Sequence, residues 1–216
     1  MNYWPIAITW CSNHNHSTFT DLILQGIFVF VQIVLNEKNY PSIINNSIKA
    51  LKKGGIVVYP SDTVYGIAVD ATNENAVKAL DKLKNRMASQ KYSYNFSDIG
   101  MVKKYADIDD KAERIMKKYL PGPFTFIIGE NISVRIPKNS IITEICKHYG
   151  KPLTATSANV TGYKPATSIK NLDSRIYLKA DIIIEDVEFE EKPPSTIVDL
   201  TTEPYSVIRE GELPFP

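Results

Sequence analysis

The chain has 216 residues, 44% of them hydrophobic, which is enough for one good core, and no stretch rich in Gly, Ser or Pro divides it. With 25 Lys and Arg against 24 Asp and Glu the net charge is +1, so no global field attracts nucleic acid or an anionic membrane, and any such contact must come from a local patch. Two cysteines, Cys11 and Cys146, stand far apart without a paired spacing, which argues against a disulfide framework and for a reducing compartment, the cytoplasm.

Only Asp21 is charged among the first 36 residues. Cys11, His14 and His16 crowd into one polar loop there without the spacing of a structural zinc site, and no metal is assigned to them. Residues 23–35, ILQGIFVFVQIVL, are apolar, but 13 residues that include Gln25, Gly26 and Gln32 are too few to span a bilayer. No Lys or Arg precedes them, which fits a secretory signal poorly. Residues 29–35 read as the first strand of a single domain, 29–216, and residues 1–28 as an N-terminal extension.

Residues 41–53 have helical spacing, with Ile44, Ile48 and Leu51 on one face, Lys49, Lys52 and Lys53 in the last turns, and Gly54-Gly55 as a stop. Ile56-Val57-Val58-Tyr59, bounded by those glycines and Pro60, has the pattern of a strand buried on both faces. Strand, helix, strand suggests a βαβ unit. The loop Ser61-Asp62-Thr63-Val64-Tyr65-Gly66 then lies where a strand's carboxyl end opens onto a crevice, the usual ligand position in open α/β sheets. A helix is expected over 74–83, with Asn73 as N-cap and Ala76, Val77, Leu80 and Leu83 inward, ending in Lys84-Asn85-Arg86. On spacing alone those two cations are ordinary partners of the helix dipole.

Further on, residues 92–96 read as a strand and 109–119 as a helix whose stripe is Ala112, Ile115, Met116 and Leu120. Pro121-Gly122-Pro123 turns the chain into a strand over 124–128. Ser133-Val134-Arg135-Ile136-Pro137 sets an arginine in an apolar strand, where desolvation demands an anion: a core carboxylate, or a substrate carboxylate gripped by the planar fork. A helix over 141–149 ends at Gly150. Residues 153–162, LTATSANVTG, run from a strand into small and hydroxylated residues that form either a plain turn or a nest for phosphate. A strand over 181–185, an acidic loop over 186–192 expected to be mobile, and strands over 195–199 and 205–209 complete the chain.

Five motifs in this order resemble the YrdC family of threonylcarbamoyl-AMP synthases. They are Pro60-Ser61-Asp62-Thr63-x-Tyr65-Gly66 with Lys84-x-Arg86; Pro121-Gly122-Pro123 before Phe124-Thr125; Val134-Arg135-x-Pro137; Ser157-x-Asn159-x-Thr161-Gly162; and Ser195-Thr196-Ile197-Val198-Asp199 with Arg209-x-Gly211. The resemblance covers roughly residues 31–211 and is weakest over 87–96, where two of the family's prolines are missing. It implies an α/β fold, a YrdC-like twisted open mixed sheet flanked by helices with a large concave cavity. It also implies the activity: L-threonine, bicarbonate and ATP give threonylcarbamoyl-AMP and pyrophosphate, which serve the tRNA-modification machinery downstream.

Carried over by motif, Thr63, Arg135, Ala155 and Ser195 would hold threonine. Arg86, Gln90, Asn131, Ser157, Asn159, Pro165 and Arg209 would hold ATP, and Lys84 with Arg86 would supply catalytic electrostatic stabilisation. Mg2+ is expected with ATP, although no dedicated carboxylate cage is visible. Asn95 stands where some relatives place a histidine near threonine, and no role is assigned to it. The alternative is an RNA-binding module on the same fold, with Lys82, Lys84, Arg86, Lys91, Lys103 and Lys104 as its patch. The chain ends at Pro216, so the additional carboxy-terminal domain of longer family members is expected to be absent. A chain beginning at Val29 should keep a cooperative thermal melt and its activity; aggregation, or a melt that loses cooperativity, would mean that residues 1–28 pack on the core.

Overall fold

β-Branched and aromatic runs set the sheet, and caps set the helices. The computed structural model of the protein describes residues 31–87, 90–130, 132–138 and 140–216. The extension 1–28, the zinc-like trio Cys11, His14 and His16, and Asn131 lie outside the described residues. In chain order the elements are β1 (Val31–Val34), α1 (Tyr40–Lys52), β2 (Val57–Pro60), β3 (Tyr65–Ala68), α2 (Glu74–Lys84), β4 (Ser93–Asn95), α3 (Ile99–Tyr105) and α4 (Asp110–Tyr119). There follow β5 (Phe124–Gly129), β6 (Ile132–Arg135), α5 (Ile141–Tyr149), β7 (Leu153–Ser157), a 3-10 turn (Ile169–Asn171), α6 (Ser174–Tyr177), β8 (Ile182–Glu185), β9 (Thr196–Asp199) and β10 (Ser206–Arg209).

The strands form one open, twisted, mixed sheet in the order β1-β8-β2-β3-β7-β4-β6-β5-β9-β10. β1 and β2 both run parallel to β8, so β1-α1-β2 is the expected βαβ unit with β8 inserted between its strands. Period-two alternation sends Val57, Tyr59 and Ala68 to the face covered by α1 and α5, and Val58, Tyr65 and Ile67 to the face covered by α2 and the 158–180 segment. Every residue of β2 and β3 is buried. A third apolar cluster joins α3 and α4 to β5, β6 and β9 through Met101, Val102, Met116, Phe126 and Val198.

The caps follow the chain's own chemistry. Asn73 Oδ1 accepts the backbone N–H groups of Asn75 and Ala76 at 3.1 and 3.2 Å, and Asp109 Oδ1 accepts that of Ala112 at 2.7 Å. Three features depart from the sequence reading. Tyr65 and Gly66 belong to β3, antiparallel to β2, so the polar loop is only residues 61–64 of a hairpin. Helices α3 and α6 were not anticipated; α3 is short, and rests on the Asp98 cap to Met101 at 2.8 Å and on two buried side chains. The acidic loop after β8 is tied down: Lys192 N–H donates to Thr63 O at 3.0 Å, Asp186 N–H to the Tyr65 hydroxyl at 2.9 Å, and Phe189 packs on the Tyr65 ring.

Gly66 faces Tyr59 across the hairpin, and a Cβ there would overlap the tyrosine ring. Gly66→Ala is expected to cost about 1–3 kcal/mol, the usual penalty for overpacking, read as a lowered midpoint in denaturant. An unchanged midpoint would show that the ring yields freely.

Candidate active site

The polar groups gather around a concavity bordered by the turn after β2, by β4 and β7, by Arg135 of β6 and by the segment entering β9. After Pro60 the chain turns on its own hydroxyls: Ser61 Oγ donates to Val64 O at 2.6 Å and accepts the Thr63 N–H at 3.1 Å, and Thr63 is 2% exposed. Across from this turn stand Arg135 at the end of β6, Ser195 just before β9 and Arg209 at the end of β10. Between them lies a concavity of about 740 Å3.

Ser195 is the junction of that wall. Its carbonyl accepts Arg209 Nε and Nη2 at 3.1 and 2.8 Å, and its hydroxyl receives Arg209 Nη2 at 3.2 Å and Arg135 Nη1 at 3.4 Å. Thr125 Oγ1 shares the same hydroxyl at 2.9 Å. Two guanidiniums thus meet at one serine, and burial together with the Arg135 charge pulls the Arg209 pKa below the ordinary arginine value. Arg135 does find a carboxylate, with Nη2 2.5 Å from Asp62 Oδ1. That contact is single-pronged: Arg135 Nε and Asp62 Oδ2 are buried and have no hydrogen-bond partner, a costly state for charged groups. The core-carboxylate reading of this arginine therefore holds, as an ion pair whose fork is only half used beside a cavity.

Of the residues marked from sequence, Thr63, Arg135, Ala155, Ser157, Pro165, Ser195 and Arg209 line the concavity. Lys84, Arg86, Gln90 and Asn159 are not on its wall. Lys84 is 2% exposed, so it is no surface partner of a helix dipole; its ammonium donates to Ser157 O and Asn159 O at 2.6 Å each. Arg86 donates to Gln90 O and Lys91 O at 3.1 and 2.5 Å and lies 4.2 Å from the centre of the Tyr92 ring. Asn159 Oδ1 accepts the Ser157 hydroxyl, and its amide donates to Tyr163 O at 2.7 Å.

Tyr59 and Thr125, which sequence reasoning passed over, and Asn95, to which it assigned no role, also line the cavity. Thr125 was visible in the motif after the proline turn. Asn95 is 1% exposed and donates to the Tyr59 hydroxyl at 2.8 Å, while its Oδ1 has no partner; its signal in the sequence was its place where some relatives carry a histidine. A second hollow, of about 580 Å3, lies beside Asp70, Tyr149 and Lys151. Its buried carboxylate is already saturated by Thr72, Tyr149 and Lys151, which leaves it little to offer a ligand.

Burial, and then the nearby Arg86 charge, bring the Lys84 pKa down from 10.5 to about 7. Between those two values the unfolded chain binds the proton that the folded chain has lost, so this group makes stability rise with pH across the window. Denaturant melts at pH 7 and pH 9 should show that rise in the native chain and a smaller one in Lys84→Met.

A family model of the Sua5, YciO and YrdC proteins, described as "Telomere recombination", matches residues 49–211. A Methanocaldococcus jannaschii protein, named provisionally as a threonylcarbamoyl-AMP synthase, is 33% identical over 191 residues, 83% of this chain and 91% of its own length. The threonylcarbamoyl-AMP synthase of Vibrio vulnificus is 28% identical over 180 residues, 76% of this chain and 96% of its own. Among solved structures, Pyrococcus abyssi Sua5 complexed with L-threonine has a TM-score of 0.76 at 26% identity, covering 86% of this chain and 58% of that one. This chain therefore spans less than two thirds of that larger protein. The matched stretch takes in every motif from Pro60 to Gly211 and with them the cavity wall, and on that ground the chain belongs to the Sua5/YciO/YrdC family.

Proposed function

We propose that this protein is an L-threonylcarbamoyladenylate synthase, a nucleotidyltransferase that converts L-threonine, bicarbonate and ATP to threonylcarbamoyl-AMP and pyrophosphate for threonylcarbamoyladenosine modification of tRNA. The observation that carries the reading is the meeting of Arg135 and Arg209 at Ser195, on the wall of a cavity that Thr63 and Ser157 also line. The names of the Vibrio and Methanocaldococcus relatives, and the threonine complex of the Pyrococcus protein, support it.

The chemistry suits a site of this kind. Bicarbonate gives carbon dioxide by releasing hydroxide, the neutral threonine amine bonds to that carbon, and the proton the nitrogen sheds joins the hydroxide as water, leaving a carbamate. A carbamate oxygen then bonds to the α-phosphorus of ATP while the bond to pyrophosphate breaks. Each step gathers negative charge in one place, so positioned cations and hydroxyls serve better than a nucleophile. Arg135, whose Nε is uncommitted, would take the threonine carboxylate, with Thr63, Ala155 and Ser195 around the amino acid. Arg209, on the far side of the Ser195 hydroxyl, would face the α-phosphate, with Ser157 and Pro165 beside the nucleotide. Arg86, Gln90, Asn131 and Asn159 would complete the nucleotide end from outside the described wall.

ATP would enter as its Mg2+ complex, with the metal carried by phosphate oxygens. Among the described residues no cluster of three or more His, Cys, Asp or Glu side chains could hold an ion by itself. The reaction would run in the cytoplasm, where the buried, unpaired Cys146 stays reduced. Among the described residues no helix is long and apolar enough to cross a membrane. The RNA-binding reading is weakened because Lys84, one of its six patch cations, is buried.

Pyrophosphate release from ATP should require both L-threonine and bicarbonate; release at the same rate without threonine would describe a plain ATPase. Arg135→Lys keeps the charge and loses the fork. It should weaken threonine binding by roughly 1–3 kcal/mol, the range for a hydrogen bond to a charged group, with a much smaller effect on ATP. Calorimetric titrations showing equal losses for both ligands would assign Arg135 to the Asp62 ion pair alone.

A further inference from the structure

Helix α2 ends on a lysine whose surroundings are those of a strut. Lys84 is 2% exposed, and the charged group that acts on it is Arg86, a like charge. Both acceptors of its ammonium are backbone carbonyls of one turn, Ser157 O and Asn159 O, at 2.6 Å. A third bond runs along the backbone, where Thr161 N–H donates to Lys84 O at 2.8 Å. The last residue of α2 thus clasps residues 157–161 at three points.

This turn leaves β7 immediately after the cavity-facing Ser157. The peptide between Ser157 and Ala158 is held from both ends, its carbonyl by Lys84 and its N–H by Tyr65 O at 2.7 Å. Arg86 has no part in the clasp, since its guanidinium is spent on Gln90 O, Lys91 O and the Tyr92 ring. Two of the ammonium's three N–H groups are held by these carbonyls, and the side chain is 2% exposed and off the cavity wall, away from where a ligand would lie.

We propose that Lys84 is a positioning residue for the nucleotide end of the cavity, acting on Ser157 through the 157–161 turn and touching no ligand. The assignment rests on the synthase reading only in naming the nucleotide as the ligand. Its chemistry is consistent with a strut. Burial beside Arg86 lowers the pKa to about 7, and a neutral amine still carries two N–H bonds, one for each carbonyl. A transition-state cation would lose its purpose on giving up that proton; a hydrogen-bonded strut would not.

The test combines amide hydrogen exchange with steady-state kinetics on the full chain. In Lys84→Met the amides of residues 157–163 should exchange at least ~10-fold faster, as local opening becomes easier, and Arg86→Met should leave them unchanged. In the same Lys84 variant the KM for ATP should rise ~10-fold or more while kcat stays within ~3-fold, the split expected when binding geometry and not charge stabilisation is lost. A fall in kcat with unchanged exchange in the turn would make Lys84 a catalytic cation and overturn the proposal. If the native chain shows no threonine-dependent turnover, the synthase reading has failed and exchange alone decides: an unaltered turn in Lys84→Met overturns the strut as well. If that variant does not fold, the native chain decides by pH. Protection of the turn, corrected for intrinsic exchange, should stay level as the amine titrates near pH 7, and a loss of protection there would show that charge was needed.

Discussion

Two apolar layers clamp β2 and β3 from opposite faces, and this constraint orders the molecule. With every residue of both strands buried, no polar side chain can be accommodated along their length without a partner. Hydroxyls and charges are displaced to the strand ends, where Ser61 and Thr63 satisfy one another across a four-residue turn. Elsewhere a buried polar group is kept only with a partner: Thr154 within β7 accepts the Val69 N–H at 3.1 Å, and Arg135 at the end of β6 pairs with Asp62. The cavity joins the turn after β2 to polar residues carried within β4, β5 and β7, Ser93, Asn95, Thr125 and Thr156.

Placing two guanidiniums against one serine hydroxyl is unfavourable unless something anionic answers them. Asp62 answers Arg135 in part, through a single oxygen, and it lies 11% exposed beside an arginine that is 14% exposed. A buried ion pair of that geometry contributes little net stability, because desolvation offsets the attraction when lone pairs and N–H groups stay unused. The arrangement leaves this wall short of negative charge, with donors of the kind that suit a carboxylate or phosphate.

Local features were legible in the sequence. The two-faced strand, the Asn73 cap and the apolar stripes of α1, α2 and α4 all depend on neighbours within a few residues. The motif residues that proved to share the cavity wall were recognisable as a set, although not as a geometry. What could not be read was where a side chain would be spent. Lys84 looks like a helix-end cation, yet its acceptors are 73 and 75 positions away, and Asp62 lies 73 positions from the arginine it pairs with. The Tyr65-Gly66 pair was read as loop because a polar motif and a strand start share residues there. Helices of seven and four residues offer too few turns for periodicity to register.

The connection from β8 to β9 has a consequence for shape. In the strand order these two are separated by seven gaps, which in a flat sheet would be ~34 Å at the usual strand spacing. The ten residues between them could bridge such a width only if drawn out almost fully, at ~3.3–3.6 Å each. Instead the connection folds part of itself into the bend at Asp186 and Phe189 and stops midway to bond Thr63. A tether that short, with slack already taken up, draws the two halves of the sheet toward each other like a string across a bow. The distance between the end of β8 and the start of β9 is thus bounded by the length of this one connection.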